Sequence, residues 1–170
     1  MKFQFYVEKL EHSKEYKDFR KKYKEAYLCS GFISADREGK DNQIHLDFYN
    51  PSKKELFSFN LTEGVKFSKL ENLDPRVPEK ISLKIDFELK DFEKLIEKEL
   101  ENKKIKTKVK KFLFSLQTLE KKEALVVTVF ISNLGLIKAN FDIKTKKLLS
   151  FEKKSFMDFF KIVGKKKKKE

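Results

Sequence analysis

Hydrophobic and polar residues alternate along several short segments of the chain, and this two-residue period predicts β-strands. Residues 3–7 form the first such segment, and residues 43–49 form a second. Residues 124–131 are almost wholly apolar, which is typical of a central strand. The remaining strands are predicted at residues 56–61, 65–70, 81–87, 112–116, 136–143 and 147–151.

Hydrophobic residues recur every three or four positions in two longer segments, which predicts amphipathic helices. The first helix is predicted over residues 8–29, with Ser13 as a cap for its second part, and the second over residues 92–100. Gly164 ends a third, short helix, which is predicted from the apolar residues Phe156, Phe159, Phe160 and Val163.

The order of a strand, a helix and several antiparallel strands occurs twice, and the two copies align at an offset of about 80 residues. In this alignment Phe32 meets Phe112 and Asn60 meets Asn140. One helix-and-sheet unit buries only one face of its sheet, whereas two units bury more when they stack or share a sheet. We therefore predict an α+β fold of two tandem helix-plus-antiparallel-sheet units, closed by the short C-terminal helix.

Two prolines, Pro75 and Pro78, interrupt the pattern between the two copies and prevent a continuous strand ladder there. The pattern leaves open whether the two repeats share one sheet or form two. The predicted organisation is a first repeat at 1–74, a linker at 75–80, a second repeat at 81–164 and a Lys-rich tail at 165–170.

Residues 140–151 resemble the last hairpin of PepSY-like domains, in which a strand ends in an aspartate, a Lys-Thr-Gly turn follows and a second strand begins. Here Asp142 ends the strand, Lys144 and Thr145 begin the turn, and Lys146 takes the place of the glycine. The resemblance implies a small, non-catalytic α+β module in the second half. The whole chain also resembles small archaeal proteins of uncharacterised function, which implies no activity.

The composition excludes several classes of protein. One Cys excludes an internal disulfide framework, and two His leave too few ligands for most metal centres, so no metal site is predicted. None of the five Gly belongs to a phosphate-binding loop, so no cofactor is predicted. The N-terminal residues lack the long apolar segment of a secretion signal and no segment is long enough to span a membrane, so we predict a soluble, cytoplasmic protein.

One pair of side chains carries candidate catalytic chemistry. His45 and Asp47 lie on the polar face of the strand at 43–49, two residues apart and therefore side by side. A carboxylate beside an imidazole orients it as a general base, and Cys29 would supply a nucleophile if the fold brought it close. The alternative is an ordinary solvent-facing strand surface, with Cys29 as a small buried hydrophobic residue.

Two short segments account for most of the net charge of +13. Residues 101–112 contribute +5, residues 161–170 contribute +5, and the rest of the chain contributes only +3. If the first segment is a strand, its lysines form a row that suits a nucleic-acid backbone. The alternatives are lysines that offset the dipole at the end of the preceding helix and lysines that protect an edge strand. The candidate polyanion-binding residues are Lys104, Lys106, Lys108, Lys110, Lys165, Lys166, Lys167, Lys168 and Lys169.

Three functions remain open from the sequence. We predict a non-catalytic interaction module with a protein partner, because the repeat is present and catalytic motifs are not. The first alternative is a weak, sequence-independent nucleic-acid or ribosome-associated protein that acts through residues 103–111 and 165–169. Sequence-specific recognition is disfavoured because only 3 of the 40 basic residues are Arg. The second alternative is a hydrolase that uses His45 and Asp47.

Overall fold

The computed structural model describes residues 2–71 and 76–155, which form three helices and eight strands. The C-terminal helix predicted from Phe156 to Gly164 and the Lys-rich tail lie outside the described residues. In chain order the elements are α1 (Phe3–His12), α2 (Lys14–Lys22), β1 (Tyr27–Asp36), β2 (Gln43–Asn50), β3 (Glu55–Asn60), β4 (Lys66–Leu70), α3 (Leu89–Asn102), β5 (Val109–Leu119), β6 (Lys122–Ile131), β7 (Gly135–Asp142) and β8 (Leu148–Ser155).

All eight strands pair antiparallel in one sheet, in the order β4-β3-β2-β1-β5-β6-β7-β8. β1 joins the two halves of the chain because it pairs with β2 on one side and with β5 on the other; Gly31 lies opposite both Leu46 and Leu116. The predicted fold class, two tandem helix-plus-sheet units, is therefore wrong. Pairing β1 with β5 removes two strand edges that separate sheets would expose. The division into domains at 1–74 and 81–164 stays a prediction.

Residues 3–7 begin α1 and do not form the predicted first strand. Phe3 and Val7 fit both patterns, because positions i and i+4 share a side in a strand and in a helix. Leu10 continues the helical face and is buried with Phe3 and Val7, whereas Phe5 is 61% exposed. The burial of a third residue at helical spacing therefore favours the helix.

The helix predicted over residues 8–29 is divided into two helices and the start of a strand. Ser13 separates α1 from α2, and its hydroxyl oxygen accepts a hydrogen bond from the Tyr16 N–H at 3.1 Å. The predicted cap is confirmed, because this bond satisfies one of the free N–H groups at the start of α2. β1 begins at Tyr27, so the last residues of the predicted helix are extended.

Residues 81–87 are not a strand, although their side chains alternate as predicted. Ile81, Ile85 and Phe87 are buried in the hydrophobic core. The backbone makes isolated bonds instead of a ladder: the Ile81 N–H donates to the Leu28 carbonyl at 2.8 Å, and the Phe3 N–H donates to the Phe87 carbonyl at 3.0 Å. Alternating burial here reflects packing in the core, not membership of the sheet.

The three helices pack on one face of the sheet and enclose a core rich in phenylalanine. The ring centroids of Phe19 in α2 and Phe48 lie 5.6 Å apart. The ring centroids of Phe92 in α3 and Phe141 lie 5.3 Å apart. Within the described residues no helix covers the other side, which we call the open face. Alternation along the paired strands places on it the side chains of Phe32, His45, Asp47, Ser58, Leu113, Ser115, Thr128, Phe130, Leu136 and Lys138.

The hairpin that resembles a PepSY-like domain joins β7 to β8. The Thr145 N–H donates a hydrogen bond to the Asp142 carboxylate at 2.8 Å, which holds the first half of the turn. Lys146 has a φ of 55°, in the left-handed region where glycine is favoured. The family's glycine therefore corresponds to a position where this chain places a lysine at a conformational cost, and the resemblance itself stays a prediction.

Candidate functional site

His45 and Asp47 lie side by side on the open face, as the strand pattern predicts. β2 turns Ile44, Leu46 and Phe48 into the core, where each is at most 5% exposed. Strand alternation therefore directs His45 and Asp47 away from the helices. Both are half-buried, so neighbouring strands shield them without closing them off from solvent.

The surroundings of His45 are loosely organised. Its Nδ1 lies 3.5 Å from the Ser58 hydroxyl, and its Nε2 lies 3.4 Å from the Asn60 side-chain nitrogen. Both distances are at the long limit for a hydrogen bond. The Phe32 ring lies beside the imidazole, with the centroids 6.5 Å apart. An imidazole held this weakly is not fixed in one orientation as a general base requires.

Asp47 is the more strongly perturbed member of the pair. Burial raises the pKa of its carboxyl above the usual range, because a shielded carboxylate loses hydration. Hydrogen bonds from Ser58 and Ser30 and the charge of His45 act in the opposite direction and favour the ionised form. The raised pKa means that the partial shielding outweighs these partners.

The sign of this shift gives a pH-dependent prediction for Asp47→Asn. A carboxyl whose folded pKa is raised destabilises the native state once it is ionised, so the variant is expected to be more stable than the parent at pH 7. The gain disappears as the pH falls to about 4, where the unfolded carboxyl is also protonated. Urea unfolding between pH 4 and pH 8 measures it. A gain that is constant across this range would contradict the assigned cause.

Cys29 is close to Asp47 but does not have the properties of a nucleophile. It is 6% exposed, and its thiol donates a hydrogen bond to the Asp47 backbone carbonyl at 3.4 Å. Burial, and next the nearby Asp47 carboxylate, raise its pKa to about 12. The reactive form of cysteine is the thiolate, so this side chain is a neutral thiol at physiological pH.

A pocket of about 440 Å³ is lined by Asp47 and Cys29 on the sheet and by residues 76–79 beside it. The Tyr27 hydroxyl donates a hydrogen bond to the Pro78 carbonyl at 2.8 Å, which holds this segment against the sheet. His45 does not line the pocket. Sequence reasoning missed this arrangement because the two prolines indicated a linker; nothing local signals the contact with Tyr27.

The four lysines at 104, 106, 108 and 110 are all exposed, and they alternate with half-buried residues. β5 begins only at Val109, so most of the row precedes the strand. β5 itself lies between β1 and β6, so Lys110, the one lysine of the row within β5, is not on an edge strand. Among the described residues none of the four forms an ion pair with a carboxylate. The candidate residues Lys165, Lys166, Lys167, Lys168 and Lys169 lie outside the described residues.

Lys104 also ends α3. It has a φ of 55°, its N–H donates to the Glu101 carbonyl at 2.9 Å, and the Ile105 N–H donates to the Leu100 carbonyl at 2.9 Å. These two bonds form a Schellman motif, in which the left-handed residue is usually glycine. The first lysine of the row therefore has a structural role at the helix end.

Lys104→Gly is expected to raise the free energy of unfolding by about 0.5–1 kcal/mol, because it removes the steric cost of a side chain in the left-handed region. Urea unfolding of the variant measures the gain. Lys106→Gly is the matched control, since Lys106 has no positive φ and glycine there only adds flexibility in the unfolded chain. An equal effect of the two substitutions would contradict the explanation.

A second, larger groove of about 830 Å³ lies between the end of α3 and residues 104–109. Arg37 forms one side of it and is held by Glu97 at 2.8 Å and by Glu93 at 3.3 Å. Sequence reasoning missed Arg37, because this side chain reaches the groove from a turn after β1. Lys104, Lys106 and Lys108 line the same groove.

Within residues 2–71 and 76–155, no group of three or more His, Cys, Asp or Glu side chains is placed to hold a metal ion. No helix in these ranges is long and apolar enough to cross a membrane.

No family model and no curated protein matches this chain. Among solved structures it is similar to the crystal structure of a putative lipoprotein from Clostridium difficile, with a TM-score of 0.52 and 17% sequence identity. The match covers 81% of this chain and 89% of that chain. At this identity the likeness concerns the fold alone, since one fold carries many functions.

Proposed function

We propose that this protein is a non-catalytic binding module whose open face receives a protein partner. The observation that supports the proposal is an apolar patch on the open face, formed by Phe32, Leu113, Phe130 and Leu136. All four side chains are half-buried, although no helix among the described residues packs on them. Apolar residues grouped on an uncovered surface are typical of protein interaction sites.

The charged side chains beside this patch are of both signs. Lys111 lies opposite Phe130 on one side, and Leu136 lies opposite Lys154 on the other. Lys138 is exposed on the same face. Lys111 is paired with Asp41 and Lys154 with Glu152, and Glu152 lies opposite Lys138, so the patch fits a partner surface with an apolar centre and a polar rim of mixed charge.

The test is cross-linking from a photoreactive phenylalanine analogue placed at Leu136 and, as the matched position, at Lys98. Lys98 is exposed on α3, on the opposite side of the sheet. After irradiation in lysate of the native host, the Leu136 position is expected to give one discrete protein adduct and the Lys98 position none. Equal adducts from both positions, or none from either, would overturn the proposal.

A pair of substitutions then distinguishes binding at the patch from nonspecific association. Phe130→Asp is expected to abolish the adduct formed from position 136, because it places a charge in the centre of the patch. Phe5→Asp makes the same chemical change on α1, where the ring is 61% exposed, and is expected to leave the adduct intact. Thermal unfolding followed by circular dichroism verifies that both variants fold.

Polyanion binding through the lysine row is the second candidate function. The supporting observation is that Lys104, Lys106, Lys108 and Lys110 are exposed together and free of carboxylate partners among the described residues. When n phosphates of a single strand are neutralised, the logarithm of affinity falls with the logarithm of salt concentration with a slope of about −0.7 n. Four contacts therefore predict a slope of about −3 in a plot of the logarithm of affinity against that of salt concentration.

An anisotropy titration with a fluorescent single-stranded oligonucleotide at low salt tests this candidate. Replacing all four lysines by glutamine is expected to remove most of the slope, and removing residues 161–170 measures the share of the tail. Binding that neither change weakens would rule out the lysine segments as the site.

The hydrolase alternative has the least support. The raised pKa of Cys29 leaves almost no thiolate to act as a nucleophile. His45 would have to activate a water molecule instead, and its hydrogen bonds at 3.4 Å and 3.5 Å do not orient it. Hydrolysis of a generic ester substrate that is lost in His45→Ala but kept in His12→Ala would restore this alternative.

A further inference from the structure

We propose that the groove beside residues 104–109 binds an extended acidic segment of a partner protein, which pairs as a short strand with the backbone of Thr107. This groove is separate from the apolar patch, because none of the residues that line it belongs to the patch. The proposal extends the binding function to a second surface and to a partner of defined chemistry.

The floor of the groove is apolar. Leu100 is 6% exposed, and Ile105 and Val109 are half-buried. The volume of about 830 Å³ is in the range of sites that take several side chains or a small ligand. The floor therefore offers positions for alternate apolar side chains of an added strand.

The backbone beside this floor has free hydrogen-bonding groups. Exposure alternates with a period of two from Lys104 to Lys110, which indicates an extended chain. The Lys108 carbonyl accepts from the Ser132 N–H, so the sheet pattern reaches that point. Lys108 directs both its N–H and its C=O to Ser132, and consecutive residues of an extended chain point to opposite edges, so the Thr107 N–H and C=O point away from β6 toward the groove. Among the described residues, no backbone bond involves these two Thr107 groups. These groups are available to a peptide in the manner of strand addition.

The rim of the groove selects the charge of the ligand. Lys104, Lys106 and Lys108 line it, and their amino groups form no ion pair with a described carboxylate. Arg37 is already engaged by Glu97 and Glu93, and Glu101 is the other carboxylate that lines the groove, so the three lysines leave an excess of positive charge there. Carboxylates on the outward side of an added strand would meet this row.

A peptide fits these observations better than a nucleic acid. Single-stranded nucleic acid is bound by stacking bases on aromatic side chains as well as by charge. The described residues that line the groove include no aromatic side chain. The apolar floor would be left uncovered by a phosphate backbone, whereas side chains such as valine would bury it.

The experiment uses three fluorescein-labelled octapeptides and the full chain. In the first peptide glutamate alternates with valine, in the second glutamate alternates with serine, and in the third lysine alternates with valine. Anisotropy titrations are expected to show the tightest binding for the first peptide, because only it satisfies both the rim and the floor. A single-stranded oligonucleotide of similar length serves as the competing polyanion.

Charge reversal at the rim tests the assigned site. Lys106→Glu combined with Lys108→Glu is expected to weaken the first peptide about tenfold or more, since two attractions become repulsions. Lys24→Glu combined with Lys66→Glu is the matched control, because both lysines are exposed and the net charge changes equally. The control is expected to change the affinity by less than about twofold.

Amide hydrogen exchange gives a readout specific to strand addition. The Thr107 amide is expected to become protected when the first peptide is bound, because it then donates to the peptide backbone, whereas the Lys106 amide points to the other edge and is expected to stay unprotected. Absence of binding by the first peptide, or binding without this protection, would overturn the proposal. Equal or tighter binding of the glutamate–serine peptide or the oligonucleotide would also overturn it and would favour a simple polyanion surface.

Discussion

Phe19→Ala is expected to lower the free energy of unfolding by about 3–5 kcal/mol, the usual cost of removing a buried phenylalanine ring. Phe19 is 4% exposed and lies where α2 meets the first half of the sheet. Its removal leaves a cavity bordered by rings that cannot all move inward. The surrounding rings are those of Tyr16, Tyr23, Phe48, Phe57, Phe59 and Phe67.

Urea unfolding followed by circular dichroism measures this loss, and Phe5→Ala is its control. Phe5 is also a helical phenylalanine but is 61% exposed, so its truncation is expected to change the stability by about 0.5 kcal/mol or less. A loss for Phe19→Ala that did not exceed the control would contradict the packing described for α2.

The same variant tests whether the two halves unfold together. Ile33 of β1 lies opposite Phe114 of β5, so strand pairing couples the halves through the middle of the sheet. We expect Phe19→Ala and Phe92→Ala, one in each half, to shift one shared transition. A second transition that Phe19→Ala leaves unchanged would support separate domains at 1–74 and 81–164.

The strands and helices with strong local patterns could be predicted from the sequence. The alternation at 43–49 corresponds to β2, and the apolar run at 124–131 lies within β6 between two neighbours, as a central strand should. The helical pattern at 92–100 lies within α3. In each of these segments the local period and the final packing agree, so no other part of the chain is needed to decide the structure.

The pairing of β1 with β5 could not be predicted in this way. It joins residues about 80 positions apart, such as Gly31 and Leu116, and is decided by which apolar faces match across the whole core. The strand predicted at residues 3–7 is wrong for a related reason. The strand period and the helix period both fit so short a segment, and only the burial of Leu10 favours the helix. Tertiary packing decides where the local signal is ambiguous.

The same difference between local pattern and long-range contact applies to the candidate sites. Strand alternation was enough to place His45 and Asp47 on one face and to expose the lysine row. Arg37 and the segment at 76–79 reach their sites from turns and irregular chain, which have no hydrophobic periodicity from which to predict their positions. Shape and shielding, which decide what a site can bind, come from these long-range contacts.

Cys29 gives the second large expected effect: its alkylation in the native protein at pH 8 should be roughly 10³-fold slower than in the unfolded chain. A thiol with a pKa of about 12 has a thiolate fraction of roughly 10⁻⁴ at this pH, whereas an ordinary cysteine is about one quarter ionised. Burial at 6% exposure slows the reagent further. The measurement is iodoacetamide labelling followed by mass spectrometry, with and without urea.

An engineered cysteine at the surface is the control for this alkylation measurement. Lys24→Cys, combined with Cys29→Ser, places a cysteine at an exposed position and is expected to react at nearly the same rate folded and unfolded. If native Cys29 instead reacted within tenfold of this control, its thiolate would be accessible beside Asp47, and the hydrolase alternative would regain its nucleophile. Slow reaction would leave Cys29 as a packing residue beside residues 76–79.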